Sequence, residues 1–341
     1  MPHAGSWWRG VAEMVLGTGV AGARELYNGF MQELGKTLLI ANPAAQIGRA
    51  GAAARHVIEA FRAALGKDMF DVAYTEHAGH AIDIAATVDP EVRTVIALGG
   101  DGVVHEVANG IMRRERDERP ALAVVPAGSG NDYAATLGMS MKVGTATRQI
   151  LSGERRSADV GCCNGEYFVE TLSFGLDAAI ALATEDLRVE TGRTGTALYA
   201  QAGLDQVLHH RVPLRYDATL TCADGGEGEL HLEGESFIFA VQIGPTYGGH
   251  FKICPNARFD DGLFDVCLAH PPLSAPAAVA LFARAKSGWH TGDSRIETHT
   301  ARSLSIRFDE PPAAQLDGEK LEGTAFDISI ELGALDVICA R

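Results

Sequence analysis

The sequence predicts two domains: an α/β domain on a parallel, Rossmann-like sheet, then a mostly antiparallel β-sandwich. Three observations point there. Up to about residue 157, short apolar runs alternate with segments of helical spacing, the pattern of successive βαβ units. Beyond it the runs become short and alternating, with turn residues between them. At 341 residues the chain is long enough for a sizeable core in each domain.

Residues 1–35 contain Trp7-Trp8-Arg9 and a mixed Gly/Ala run, without the basic start and clean apolar centre of a signal peptide. Val11, Met14, Val15 and Leu26 sketch a weak amphipathic helix that Gly17, Gly19 and Gly22 oppose, so a frayed or helical extension is expected. Residues 36–41 form a first buried strand, stopped by Asn42-Pro43, and a loop runs to Gly51. Val57, Ile58, Phe61 and Leu65 recur at helical spacing over 52–65. Residues 70–75 read as a second strand and 79–86 as a helix. The apolar run 95–98 is a buried strand that enters Gly99-Gly100-Asp101-Gly102, and Val103, Val104, Val107, Ala108 and Ile111 open a helix directly behind it. Residues 122–126 form a fourth strand leading into Ala127-Gly128-Ser129-Gly130-Asn131-Asp132. Four strands thus end in polar or glycine-rich loops, and open α/β sheets bind ligands at those carboxyl ends.

The stretch 151–158 is read as the connection between domains, which divides the chain into 36–157, 158–325 and a segment 326–341 that returns to the first domain. Strand-like runs follow at 167–174, 214–222, 228–232, 236–243, 263–269 and 303–308. Asp224-Gly225-Gly226 and Asp260-Asp261-Gly262 read as turns, and 177–185, 196–208 and 275–288 as helices.

A formal charge of −15 leaves no basic excess to neutralise a nucleic-acid backbone. Cys162, Cys163, Cys222, Cys254, Cys267 and Cys339 lack C-x-x-C spacing and read as free thiols of a reducing cytosol. No run approaches the roughly 18 apolar residues of a transmembrane segment.

The chemistry concentrates in three places. Glycines 99, 100 and 102 free the backbone to present successive N–H groups beside a helix N-terminus, a phosphate-binding arrangement. Asp101 inside that turn would repel phosphates unless a cation lay between, so the loop suggests Mg²⁺. Asp260-Asp261-Gly262 places two acids at a turn tip, which alone is ordinary hairpin chemistry. Asp317 and Glu319 flank Gly318 and can face one site, suiting general-base duty toward a hydroxyl, although alone they too read as a solvated turn. His105, by its residue type and place, reads as a satisfied helix-surface residue.

Together these residues resemble the diacylglycerol kinase catalytic-domain family, which includes bacterial lipid kinases and the sphingosine and ceramide kinases. The resemblance runs from about Lys36 to the C-terminus. Its markers are Asn42-Pro43, the run from Gly99 to Gly110, Pro126-Ala-Gly-Ser-Gly-Asn-Asp132, Ser173-Phe-Gly-Leu-Asp177, Gly248-Gly249, the run from Pro255 to Gly262, and Leu316-Asp-Gly-Glu319. It implies an ATP-dependent kinase of a lipid hydroxyl, such as that of diacylglycerol or a sphingoid long-chain base, with an NAD kinase-like pairing of domains. Asn42, Thr75, Gly99, Gly100, Asp101, Gly102, Val103, Val104, His105, Glu106, Gly128 and Ser129 match nucleotide-binding positions. Asp101 is placed for the catalytic magnesium. Asp261, with the backbone carbonyls of Arg258 and Leu263, matches a second magnesium site. Glu319 matches the proton acceptor, with Asp317 its partner or competitor, and Asp177 the head-group side of the lipid pocket.

Bacterial members commonly carry Thr and Asn where this chain has Val103 and His105. With Ser129-Gly130-Asn131, this tilts the expected acceptor slightly toward a long-chain base. The expected partner is a lipid at a membrane surface, reached peripherally from the cytoplasm, with a homodimer left open. Net charge opposes anionic leaflets, so a local basic patch is needed, from Arg188 and Arg193 or from His209-His210-Arg211. The alternatives are an NAD kinase-like small-molecule kinase and a catalytically idle lipid-binding protein.

Overall fold

A computed structural model describes residues 34–42, 49–193, 196–222 and 228–341. The N-terminal extension up to residue 33, the loop from Pro43 to residue 48 and the turn Asp224-Gly225-Gly226 lie outside the described residues.

The first domain runs β1 (Lys36–Ala41), α1 (Arg49–Leu65), β2 (Phe70–Tyr74), α2 (His80–Ala86), β3 (Val92–Gly99), α3 (Asp101–Met112), β4 (Ala121–Pro126), α4 (Asp132–Thr136) and α5 (Val143–Ser152). Its strands are parallel, in the order β2-β1-β3-β4. The central strands β3 and β4 are almost wholly buried because helices cover both faces, while β2, at the edge, is largely half-buried or exposed.

The second domain runs β5 (Glu154–Cys163), β6 (Glu166–Phe168), β7 (Thr171–Gly175), α6 (Leu176–Thr191), α7 (Thr196–His209), β8 (Leu214–Cys222), β9 (Glu229–Ser236), β10 (Ile238–Gln242), β11 (Phe264–Ala269), α8 (Ala275–Ala285), β12 (Ile296–Phe308), β13 (Ala314–Leu316), β14 (Glu319–Leu321) and β15 (Ala325–Cys339). It is an antiparallel β-sandwich with the local order β14-β13-β7-β10-β11-β12-β15. Phe174 sits near its centre, with ring centroids 5.0 Å from Phe308 and 4.8 Å from Phe326. The three helices α6, α7 and α8 cover one face through a separate apolar cluster that includes Leu176, Ile180, Val207 and Leu281.

The connection at 151–158 is built of regular structure. Helix α5 runs through Ser152, and β5 starts two residues later, so the 157/158 division falls inside a strand. Its arginines are held by acids: Arg155 contacts Asp336 at 3.4 Å, and Arg156 pairs with Asp260. Strand β15 pairs with β12 in the sandwich and with β5 along most of its length. Its end then lies parallel to β4, with Val337 opposite Leu122. One sheet therefore runs through both domains.

Candidate active site

Strand β3 delivers the glycine loop, and α3 starts at Asp101 with Gly100 as its cap. The first N–H groups of a helix have no partner inside it, so this end faces outward with free donors by construction. Val103 and Val104 are core residues whose N–H groups already donate to the Gly100 carbonyl, at 3.1 and 3.2 Å. They shape the loop through the backbone alone.

The loop after β4 packs directly on it. A Cβ on Gly128 would fall 2.3 Å from the Gly100 Cα, so only glycine lets the two strand ends touch. Asn131, at φ +58, folds its amide back on Gly128: its oxygen accepts the Gly128 N–H at 2.8 Å and its nitrogen donates to the carbonyl at 2.9 Å. That leaves Ser129 exposed at the tip. The Asp101 carboxylate accepts the N–H groups of Asn131 (2.7 Å) and Asp132 (2.8 Å), locking the two loops together. Burial raises the Asp101 pKa to about 7, with the charges of Asp132 and Asp317 adding to it against those two N–H groups. The surplus negative charge suits a divalent cation, and the donor set is all oxygen. Asn42 and Thr75 stand at the ends of β1 and β2, as their strands require; the Thr75 N–H donates to the Ala41 carbonyl at 3.0 Å.

The second domain reaches this loop through the β13–β14 turn. Its virtual ruler is Gly102: a Cβ there would stand 3.6 Å from Glu319 Oε1. The exposed Glu319 carboxylate thus lies beside the helix N-terminus that would hold phosphates. Asp317, two residues earlier, is differently used. It is buried, and its carboxylate accepts the N–H groups of Val169 (2.8 Å), Glu170 (3.0 Å) and Thr171 (2.9 Å). Its oxygens are committed to these N–H groups, whereas no such bonds hold the Glu319 carboxylate among the described residues.

His105 is not on the helix surface as its residue type suggested. It is 4 % exposed, with Nδ1 3.4 Å from Asp317 and Nε2 3.6 Å from Glu166. Glu106 faces away from the loop mouth: its two oxygens accept the Gly79 and Ala81 N–H groups, at 2.9 and 3.0 Å, and so cap α2. Its carboxylate therefore holds the site from behind.

Asp177 stands at the start of α6, 1 % exposed, with the Tyr247 hydroxyl donating to Oδ2 and Oδ1 without a partner. Burial pushes its pKa up to about 6 against the hydrogen bonds of Tyr247, the Ser173 hydroxyl and the first N–H groups of α6. One strand over, Ile238 pairs with Gly175 and lines an apolar cavity under α8, with Cys267, Ala269, Leu281, Phe282 and His290. The turn after Arg258 gathers Asp260, Asp261, Asp159 and Asp265. Asp261 Oδ1 accepts the Leu263 N–H at 3.1 Å, and buried Asp159 holds the N–H groups of Gly262 (2.6 Å) and Gly333 (2.7 Å). Burial raises the pKa of Asp159, with Asp261 and Asp260 adding, and raises Asp265 to about 6 with Asp261 adding. A cation among these oxygens would relieve that charge.

Several residues of the site escape sequence inspection. Asp132 accepts the N–H groups of Gly249 (2.9 Å) and His250 (2.6 Å), latching the nucleotide loop to the second domain. Buried Glu170 accepts the Thr136 hydroxyl at 2.8 Å across the same interface. Asp159 and Glu170 had one readable signal, an acid inside an otherwise apolar strand run. Of the basic residues proposed for membrane contact, Arg193 and Arg211 hydrogen-bond to neutral groups, Gln201 and the Val207 carbonyl. Arg188 pairs with Glu185, and His210 lies 3.8 Å from Asp205.

A parallel-sheet phosphate loop facing an acid from a β-sandwich defines a two-domain kinase cleft. Residues 36–163 match the diacylglycerol kinase catalytic domain, and residues 170–339 match the YegS C-terminal NAD kinase beta sandwich-like domain. The chain belongs to this diacylglycerol and lipid kinase family, and it is a kinase. It is 29% identical over 231 residues to "Diacylglycerol kinase" of Bacillus subtilis (strain 168), covering 66% of this chain and 70% of that one. It is 29% identical over 251 residues to "Probable lipid kinase YegS-like" of Yersinia pestis (strain Pestoides F), covering 73% and 79%. A solved diacylglycerol kinase structure from Bacillus anthracis str. Sterne shares the fold, with a TM-score of 0.69, 23% identity and coverage of 90% and 97%. Among the described residues, no helix is long and apolar enough to cross a membrane.

Proposed function

We propose that this kinase transfers the γ-phosphate of ATP to the hydroxyl of an amphiphilic lipid, with Glu319 as proton acceptor. The observation that carries this is the Glu319 carboxylate beside Gly102, since it puts the base for the acceptor against the phosphate loop of the donor. The acceptor hydroxyl loses its proton to Glu319 as its oxygen bonds the γ-phosphorus. The bond from that phosphorus to the β,γ-bridging oxygen breaks, and ADP leaves. Backbone N–H groups at the start of α3 stabilise charge on the phosphates, in place of the lysine of a Walker A loop. When bound, magnesium supplies further neutralisation there, and Asp101 would hold it, directly or through water. Asp261, with the carbonyls of Arg258 and Leu263, would hold a second, structural ion.

The cavity under α8, where every lining group but His290 and Cys267 is apolar, has a volume of about 30 Å³, so a lipid chain would enter it only by parting α8 from β10 and β11. The unpartnered Asp177 Oδ1, one strand away, would take a hydrogen bond from a head-group hydroxyl or ammonium. That pairing favours a sphingoid base over diacylglycerol, because a buried carboxylate gains more from a cation than from an ester-flanked hydroxyl. Purified protein with ATP and Mg²⁺ should phosphorylate at least one of diacylglycerol, sphingosine, ceramide and phosphatidylglycerol, presented side by side in detergent micelles. Phosphate transfer to NAD alone would overturn the lipid assignment, and transfer to no hydroxyl would point to an idle fold.

A further inference from the structure

His105 has no part in the phosphoryl transfer just described, yet it is a buried link between the glycine-loop helix and the turn that carries Glu319. Among the described residues, its contact with Asp317 is the one side-chain bond from α3 to the β13–β14 turn. Its neighbour one helical turn on, Asn109, clamps α3 to β6. The Asn109 amide donates to the Tyr167 carbonyl at 2.8 Å, and the Tyr167 N–H donates to Asn109 Oδ1 at 3.0 Å. The imidazole therefore sits in a fixed slot, with Asn109 below it, Glu166 of β6 on one side and Asp317 on the other. Asp317 in turn carries Gly318 and Glu319.

We propose that His105 is a positioning residue of the kinase reaction: as an imidazolium between Asp317 and Glu166, it ties the β13–β14 turn to the glycine-loop helix and sets Glu319 over Gly102. The proposal rests on Glu319 being the proton acceptor. Three features support it. The charged groups acting on the ring are all carboxylates, namely Asp317, Glu166 and Glu319. Tyr167, also on β6, offers the ring's surroundings only backbone groups, through Asn109, and Glu106 on α3 is turned away to Gly79 and Ala81. A neutral imidazole would leave Asp317 with no positive counterpart in a buried site already rich in acids. Burial pulls the ring's pKa down, but Asp317 and Glu166 outweigh it and raise it to about 9. The charge is therefore complete at neutral pH and is lost as pH rises through about 9.

The test is the kcat ratio of wild type to His105→Asn, measured from about pH 7 to about pH 10 around that value, with ATP, Mg²⁺ and the lipid accepted in the substrate panel. Near neutrality His105→Asn should lower kcat on the order of tenfold, with KM for ATP unchanged, because a small displacement of the base is costly. The ratio should fall toward one at the alkaline end, where the wild-type ring has lost its proton. A ratio that stays constant with pH overturns the proposal, since an imidazole that only fills space would give that result. Glu166→Gln, at a half-exposed position that folding tolerates, provides the second arm. It should move the wild-type alkaline decline to lower pH, and an unmoved decline overturns the proposal even if His105→Asn does not fold. Glu319→Gln separates the two levels: if that variant keeps wild-type activity, the assignment of Glu319 fails, whereas a flat His105→Asn ratio with an inactive Glu319→Gln removes only the positioning role.

Discussion

Replacing Asp317 with asparagine should damage the fold more than the chemistry, and the size of the effect can be worked from its contacts. One carboxylate oxygen accepts the Glu170 and Thr171 N–H groups, and the other accepts Val169 N–H and faces His105. Asparagine keeps a carbonyl oxygen for two of these N–H groups but turns an NH₂ toward the third. A buried N–H left without an acceptor costs about 1–3 kcal/mol. Backbone strain adds little, because Asp317 stands at φ +49, a conformation that asparagine also tolerates. The expected loss is about 2 kcal/mol, which lowers Tm by roughly 4–8 °C in a chain of this size class. Glu319→Gln is the contrast. The side chain is exposed, so Tm should hold, while kcat falls by about 10²–10⁴ with the loss of the base. Thermal unfolding followed by circular dichroism, alongside ADP release with saturating lipid, reads both. An Asp317→Asn protein with wild-type Tm and activity as low as that of Glu319→Gln would refute this division of labour.

Three other outcomes follow from the site. Asp101 has a folded-state pKa raised from 3.8 to about 7, so in metal-free buffer the stability it contributes is fully present below 3.8 and declines as pH rises to about 7. Mg²⁺ should therefore raise Tm more at about pH 8 than at about pH 5, and Asp101→Asn should flatten that difference. Leu281→Trp, which fills the cavity under α8, should raise KM for a long-chain lipid by tenfold or more, by the order of one lost apolar contact set, and leave KM for ATP unchanged; equal effects on both would remove the lipid from that cavity. Asp261→Ala should abolish any Tm response to a chelator, and a chelator-insensitive wild-type protein would return this turn to ordinary hairpin chemistry.

Local chemistry was legible in the chain, and long-range use was not. Strand, glycine turn and helix at 95–111 could be read because each follows from adjacent residues: an apolar run, residues without a Cβ, then 3.6-residue spacing. Yet Gly99, Gly100 and Gly102 take no positive φ, and the turn uses their missing side chains for close approach to Val103 and Gly128. The four loop-bearing strand ends follow for the same reason. His105 was misplaced because its burial depends on Asp317, more than two hundred positions away, and no local pattern encodes that. Asp317 and Glu319 look equivalent as i and i+2 acids, and only the N–H groups of Val169 to Thr171 separate a structural carboxylate from a free one. The boundary falls at 157/158 in the sequence because the residue pattern changes there, yet β5 runs through it, with Arg155 and Arg156 met by Asp336 and Asp260 from distant segments.

The shared strand β15 has a consequence for how this enzyme comes into being. Val337 lies beside Leu122, so the nucleotide domain gains its neighbour to β4 only after 215 further residues have been made. That contact is among the slowest kind to form, since chain entropy must be lost before the pairing can repay it. A nascent chain carrying the whole glycine loop, and even the emerging Glu319, would still lack the strand that closes its sheet. Completion of the first domain's sheet thus waits for the last strand to be made.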